Sequence, residues 1–238
     1  INLSFEVNMH LISKHFIALF FLFSFSSLSY AGGVALAATR IVYPMDAKQT
    51  SITLNNTDKR LRFLVQSWID DSQDQKSNEF IVTPPLFVSK PESENKLRII
   101  YAGKALPNDR ESLFWLNTKA IPEIEREEIK DKNILQLAVL SRIKIFIRPQ
   151  GLNFNIEDVP NSLEFKKSQG NIIVNNPSPY YATLINLEAD NEQLNSIMVP
   201  PMGTVMIKVS KPNYSQISYQ TINDYGASTP KVTKQIGK

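Results

Sequence analysis

The chain has 238 residues, of which 42% are hydrophobic and 21% charged, enough apolar material for a packed core and too ordinary a balance for disorder. Its formal net charge of +3 comes from 26 basic residues spread along the chain with 23 acidic ones among them. A dense basic face for nucleic acid is therefore not expected. The length suits two sandwich domains of roughly 100 residues each.

Near the start, Lys14 and His15 precede an apolar run over 16–30, FIALFFLFSFSSLSY. That run is too short and too rich in serine for a membrane span and has the build of an export signal. Two small-residue sites compete for cleavage: Ser29-Tyr30-Ala31, cutting before Gly32, and Ala35-Leu36-Ala37, cutting before Ala38. An uncleaved anchor is the alternative reading. Removing the segment would remove His10 and His15, the only histidines, from a chain that has no cysteine. A Ser–His triad, a thiol nucleophile, a Cys/His zinc cluster and a disulfide would all be excluded, leaving carboxylate or lysine chemistry open on composition.

The remainder predicts strands. Short runs rich in Val, Ile, Thr, Phe and Tyr fall at 51–54, 63–69, 96–101 and 112–118, followed by a long strand over 135–148. Asn55-Asn56, Asp70-Asp71 and Gly103 punctuate them, and Pro149 with Gly151 marks a domain boundary. A second set follows at 163–166, 170–175, 181–187, 204–209 and 216–222. Only 123–130 carries a helical pattern, so the chain is expected to be all-β.

The long strand is unlike the others. One parity holds Leu135, Leu137, Val139, Ile143, Ile145 and Ile147; the other holds Gln136, Ala138, Leu140, Arg142, Lys144, Phe146 and Arg148. Alternation of this kind ordinarily means one face in the core and one in water. Here the run is about twice the usual strand length, and its polar parity mixes Leu140 and Phe146 with three cations. That is more apolar surface than one small sandwich covers, so the N-terminal half of the strand suits a partner.

Several motifs, in order, resemble the periplasmic pilus chaperones, the PapD-like family, and within it the type 1 fimbrial chaperones. They are GVALAATRIVYP from Gly33, FIVTPPLF from Phe80, LPNDRESLFWLN from Leu106, SRIKIFIRP from Ser141, NNPSPYY from Asn175, VPPMG from Val199 and TINDYGA from Thr221. The resemblance implies two immunoglobulin-like β-sandwich domains in an L or boomerang arrangement. It implies an export signal over 1–32, cut near Ala31–Gly33 because GVALAATR is similar to the family's first mature strand, then an N-terminal domain over 33–150 and a C-terminal domain over 151–238. It further implies a periplasmic protein that is no enzyme, needs no cofactor or metal, and assembles pili.

In that family the long strand fills the open groove of a pilus subunit that lacks its own last strand. Carried onto this sequence, Leu135, Leu137 and Val139 become the inserted side chains, with ordinary core packing as the alternative. Arg40 and Lys144 become the anchor for the subunit's C-terminal carboxylate. Because Lys144 has the opposite parity from the inserted residues, the strand is expected to twist or bulge, with the anchor in the cleft between domains. Glu111, Arg148 and Asp224 match an interdomain salt-bridge network. A catalytic carboxylate pair at Glu111 and Asp224 is disfavoured because Arg148 would hold both ionised. Leu64, Gln66, Thr83, Pro84, Pro85 and Ile121 match positions that dock on the outer-membrane usher, although Thr83-Pro84-Pro85 also reads as a rigid turn.

The implied partners are pilins and an adhesin, one to one, together with the usher and, for the free protein, a self-capping second copy. The short stretch between Asn117 and Leu135 is similar to the branch serving rod-like pili. A pilus subunit and a secreted hydrolase are the competing classes; two-domain length opposes the first, and the missing His and Cys oppose the second.

Overall fold

Strand after strand buries one parity. Over Thr50–Asn56 the inward residues are Ile52, Leu54 and Asn56; over Phe63–Asp70 they are Phe63, Val65, Ser67 and Ile69. A period of two with one apolar row is what a sheet covered on one face requires. The computed structural model describes residues 32–124, 135–211 and 214–237, so all but the last residue of the expected export signal at 1–32 and most of the expected helical stretch at 123–130 lie outside the described residues.

The first sandwich joins two sheets. One has the order β1 (Val34–Leu36), β3 (Thr50–Asn56), β7 (Ser93–Tyr101), β5 (Phe80–Thr83). The other runs β2 (Arg40–Pro44), β9 (Val139–Arg148), β8 (Ser112–Pro122), β4 (Phe63–Asp70), β6 (Leu86–Ser89). Leu54, Leu97 and Ile99 from the first sheet meet Val65, Leu116 and Ile145 from the second in one core.

A turn at Gln150–Gly151, with Gly151 in the left-handed region (φ 70°), leads to a short 3₁₀ turn, Ile156–Asp158, and a single helical turn, α1 (Val159–Ser162). The second sandwich follows. One sheet is β10 (Glu164–Ser168), β11 (Asn171–Asn176), β15 (Gly203–Lys208). The other is β13 (Glu192–Gln193), β12 (Ala182–Ala189), β16 (Gln216–Thr221), β17 (Val232–Gln235), with β14 (Ile197–Val199) also paired to β12. Its core places Phe165, Val174 and Ile207 against Leu184, Ile217 and Tyr219.

Both sandwiches close a corner with the same device. Asn56 donates from Nδ2 to the carbonyls of Leu61 (3.0 Å) and Lys90 (2.8 Å) and accepts from the amide of Asp58. Asn176 likewise donates to Tyr180 (2.7 Å) and Pro200 (3.1 Å) and accepts from Ser178. A buried amide that satisfies several loop carbonyls at once keeps the corner free of orphaned polar groups.

Three sequence expectations need correction. GVALAATR is not one strand: β1 pairs with β3 in one sheet, and after Ala37–Thr39 the chain crosses to pair β2 with β9 in the other. The long strand begins at Val139 and not at Leu135. Its ladder with β8 ends at Ala120 opposite Val139, and the next residues of β8 run into Pro122, which has no N–H to continue it. Third, the ladder runs without a register shift from Ser112 opposite Ile147 to Ala120 opposite Val139. No bulge therefore brings Lys144 to the face of the odd-numbered row; an unbroken ladder preserves the alternation, and the two parities stay on opposite faces.

Candidate functional site

On the odd row, Ile145 and Ile147 are 0% and 1% exposed, inside the first core. The same row then leaves the sandwich, and Val139, Leu137 and Leu135 are 56%, 69% and 81% exposed. Backbone pairing explains the change. β2 covers β9 only from Lys144 to Arg148, because the chain has crossed to the other sheet before Arg40. From Val139 to Ile143, β9 has β8 on one side and, among the described residues, no paired strand on the other. An open edge beside a row of exposed Leu and Val side chains is a template for an added strand.

The even row is the cationic face. Arg40 of β2 lies directly opposite Lys144 of β9 in a parallel register, so both side chains leave the sheet on the same side. Arg40 is only 8% exposed. Its Nη1 donates to the Ile222 carbonyl of the second sandwich at 3.0 Å, and its guanidinium lies 5.7 Å from the centre of the Phe146 ring. Its Nε is buried without a hydrogen-bond partner among the described residues. Burial lowers the pKa of Arg40 against the opposing pull of Asp224 and Glu111. Lys144 sits 5.5 Å from the ring centre of Trp115, and burial, then the charge of Arg40, lowers its pKa. Arg142, further along the row, stacks over the same Trp115 ring at 4.6 Å and pairs with Asp74.

Arg148 gathers the third group of residues. Its Nε donates to Glu111 at 2.7 Å, and its Nη1 and Nη2 donate to the two oxygens of Asp224 at 2.7 and 2.8 Å. The fork geometry uses the guanidinium as a bridge from the strand end to a turn of the second sandwich. Glu111, 3% exposed, also accepts from the amide of Tyr181 at 2.8 Å. Burial pushes the Glu111 carboxyl up, against Arg148 and the Tyr181 amide, which pull it down. The expectation that Arg148 would hold this carboxylate ionised left out burial, the larger cause, which works in the opposite direction. For Arg148, burial works downward, yet hydrogen bonds and charge from Asp224 and Glu111 outweigh it and raise its pKa. Phe146 packs against Tyr181, with ring centres 5.6 Å apart, and a cavity of about 530 Å³ opens beside Arg40, Phe146 and Arg148.

Of the remaining predicted residues, Leu64, Gln66 and Ile121 share the outer face of the β9-β8-β4-β6 sheet, since Leu64 is opposite Ile121 across one ladder. Thr83 belongs to β5 in the other sheet, and Pro84-Pro85, after a cis Thr83-Pro84 bond, carries the chain across to β6. The Pro85 carbonyl accepts from the amide of Ser67, which brings the crossover beside Gln66. The sequence reading missed Leu86, Val88 and Leu140, which are exposed on this same outer face: Leu86 is opposite Gln66, Val88 opposite Leu64, and Leu140 opposite Lys119. Alternation in LFVS at 86–89 was the available signal. Among the described residues no group of three or more His, Cys, Asp or Glu side chains is placed to hold a metal ion, and no helix is long and apolar enough to cross a membrane.

Comparison with known proteins bears on this arrangement. Residues 33–153 match the family described as pili and flagellar-assembly chaperone, PapD N-terminal domain, and residues 158–233 match the pili assembly chaperone PapD, C-terminal domain. The chain is 47% identical over 212 residues to the probable fimbrial chaperone SfmC of Escherichia coli K12, spanning 89% of this chain and 92% of that protein. It is 45% identical over 202 residues to the chaperone FimC of an Escherichia coli O6:H1 strain, spanning 84% and 83%. Among solved structures, the periplasmic chaperone SfaE superposes with a TM-score of 0.75 at 43% identity, over 87% of this chain and all of that one. The SafB chaperone of Salmonella enterica, solved with the SafA pilin, gives 0.77 at 26% identity, over 87% and 98%. The chain belongs to the PapD-like family of pilus-assembly chaperones, two immunoglobulin-like sandwiches whose work is folding and assembly and not catalysis.

Proposed function

We propose that this chaperone acts in the periplasm by lending the start of β9 and the residues before it to a pilus subunit. The observation that carries the reading is the exposed row Leu135, Leu137 and Val139 beside an edge that β2 leaves unpaired. Inserted into a subunit's open groove, each of these side chains contributes about 1.5–3 kcal/mol on full burial. The borrowed backbone edge would satisfy N–H and C=O groups that otherwise invite aggregation.

Arg40 and Lys144 hold the subunit's terminal carboxylate in this reading. Arg40, Arg142, Lys144 and Arg148 put four cations on one face; Asp74 pairs with Arg142, and Glu111 and Asp224 both go to Arg148, so the surplus charge lies at Arg40 and Lys144. A carboxylate bound there sets register on the opposite face from the inserted side chains, so no bulge is needed. Arg148 with its two carboxylates orients the second sandwich. The exposed face around Leu64, Gln66 and Ile121, with the Thr83-Pro84-Pro85 crossover at its border, is where the loaded chaperone meets the usher. Residues 1–32 serve as the export signal, 33–150 as the strand-donating domain and 151–238 as its companion; before loading, a second copy caps the open edge.

Periplasmic extracts of cells that also express a pilin test the reading. Wild-type chaperone is expected to purify with the pilin one to one, and Lys144→Ala to lose it while unfolding at the wild-type temperature. Normal pilin recovery with Lys144→Ala would remove Lys144 from the anchor.

A further inference from the structure

Arg40 is held in place from the second sandwich. The carbonyl that accepts from its Nη1 belongs to Ile222, at the mouth of a tight turn bridged by Ile222 and Ser228. One side chain builds that turn. Asn223 Oδ1 accepts from the amides of Tyr225 (3.1 Å) and Ala227 (2.9 Å), and the Asn223 amide donates to the Ala227 carbonyl at 2.9 Å. Short polar side chains that bond main chain two residues ahead fix a turn in this way. Gly226 takes the left-handed region (φ 84°), and a Cβ there would stand 2.4 Å from Oγ1 of Thr39, the residue before Arg40. The turn therefore meets the anchor arginine at two points, by a hydrogen bond to its head and by close approach to its backbone neighbour.

A buried guanidinium whose Nε has no partner among the described residues is costly, and it keeps its orientation only if its surroundings impose one. We propose that Asn223 and Gly226 are positioning residues for Arg40, so that selectivity for a free carboxylate terminus is set jointly by both sandwiches. This rests on the reading of Arg40 as the carboxylate anchor. It adds that the Ile222–Ala227 turn, acting through the Ile222 carbonyl, decides where the guanidinium points. The apolar part of recognition, made by Val139 on the other face of β9 and by Leu135 and Leu137 just before the strand, is left untouched by the turn.

Two synthetic peptides test this on the full chaperone. Both copy the C-terminal strand of the co-purifying pilin, and they differ only in ending as a free acid or as an amide. Wild-type protein is expected to prefer the acid. Asn223→Ala should cut that preference about tenfold, the scale of one charge-assisted hydrogen bond, with amide-peptide affinity unchanged. Retained amide binding also shows that the variant is folded. If Asn223→Ala does not fold, Gly226→Ala makes the same demand on Thr39 and Arg40 and should give the same selective loss. Full acid preference in the folded variant overturns the positioning role alone. Equal binding of acid and amide peptides by the wild type overturns the anchor reading, and the positioning role with it.

Discussion

At its C-terminal end β9 sets Ile145 and Ile147 beneath the facing sheet, while the earlier members of the same row, Leu135, Leu137 and Val139, stand mostly in water. Side-chain type and spacing are alike in the two stretches. The difference lies in their neighbours: β2 flanks only Lys144 to Arg148, and β8 stops pairing at Ala120. An apolar row in a strand is thus a statement about a face that some surface must cover, and the cover need not come from the same chain.

Truncation on the covered end should give the largest effect. Ile145→Ala is expected to lower stability by about 2–5 kcal/mol, read as a shifted urea midpoint, since the cavity it opens sits in the middle of the core. Leu137→Ala, on the uncovered end, should move that midpoint by no more than about 0.5 kcal/mol and yet weaken pilin recovery. A stability loss at Leu137 comparable to that at Ile145 would mean that the free protein covers the whole row itself.

Arg148, at the covered end of the strand, comes next. Arg148→Ala leaves the buried Glu111 without its charged partner and is expected to lose about 1–3 kcal/mol in the same urea titration. An unchanged midpoint would show that the bridge orients the sandwiches without adding net stability.

The smallest expected effect is a slope with pH. Burial raises the pKa of Glu111 in the folded chain. As pH climbs past the ordinary carboxylate range, the unfolded chain releases this proton first and the native chain keeps it. The Glu111 contribution to stability therefore falls with rising pH until the native group also ionises, and it is fully present below the unfolded value. Urea midpoints measured across the acid range should lose this component in Glu111→Gln; an identical profile in the variant would assign the slope to another group.

Much of the fold was legible because alternation is a local property. Each strand expected from Val, Ile, Thr and aromatic runs lies on an observed strand, among them 63–69 within β4 and 216–222 on β16. Less legible were the places where the chain changes sheets. Ala37–Thr39 and Pro84-Pro85 both redirect a segment that reads as continuous, because which sheet a strand joins depends on partners tens of residues away. Leu86, Val88 and Leu140 were not read as members of one surface for a related reason: they come together only after β6, β4, β8 and β9 are laid side by side.

The site divides along the same line. The motifs that placed Arg40 and Lys144 are strings of neighbouring residues, and one dimension is enough to read them. That the two cations stand opposite each other in a parallel register, that Arg148 reaches both Glu111 and Asp224, and that the Ile222 carbonyl holds Arg40 are contacts over long sequence separations. By itself the sequence determined the strand-rich class and the alternation of β9, and its motifs singled out Arg40 and Lys144. Tertiary structure alone decided which stretch of that strand stays uncovered and what holds Arg40. A main-chain carbonyl leaves no signature in residue type, and solvent exposure is set by neighbours the chain reaches only on folding.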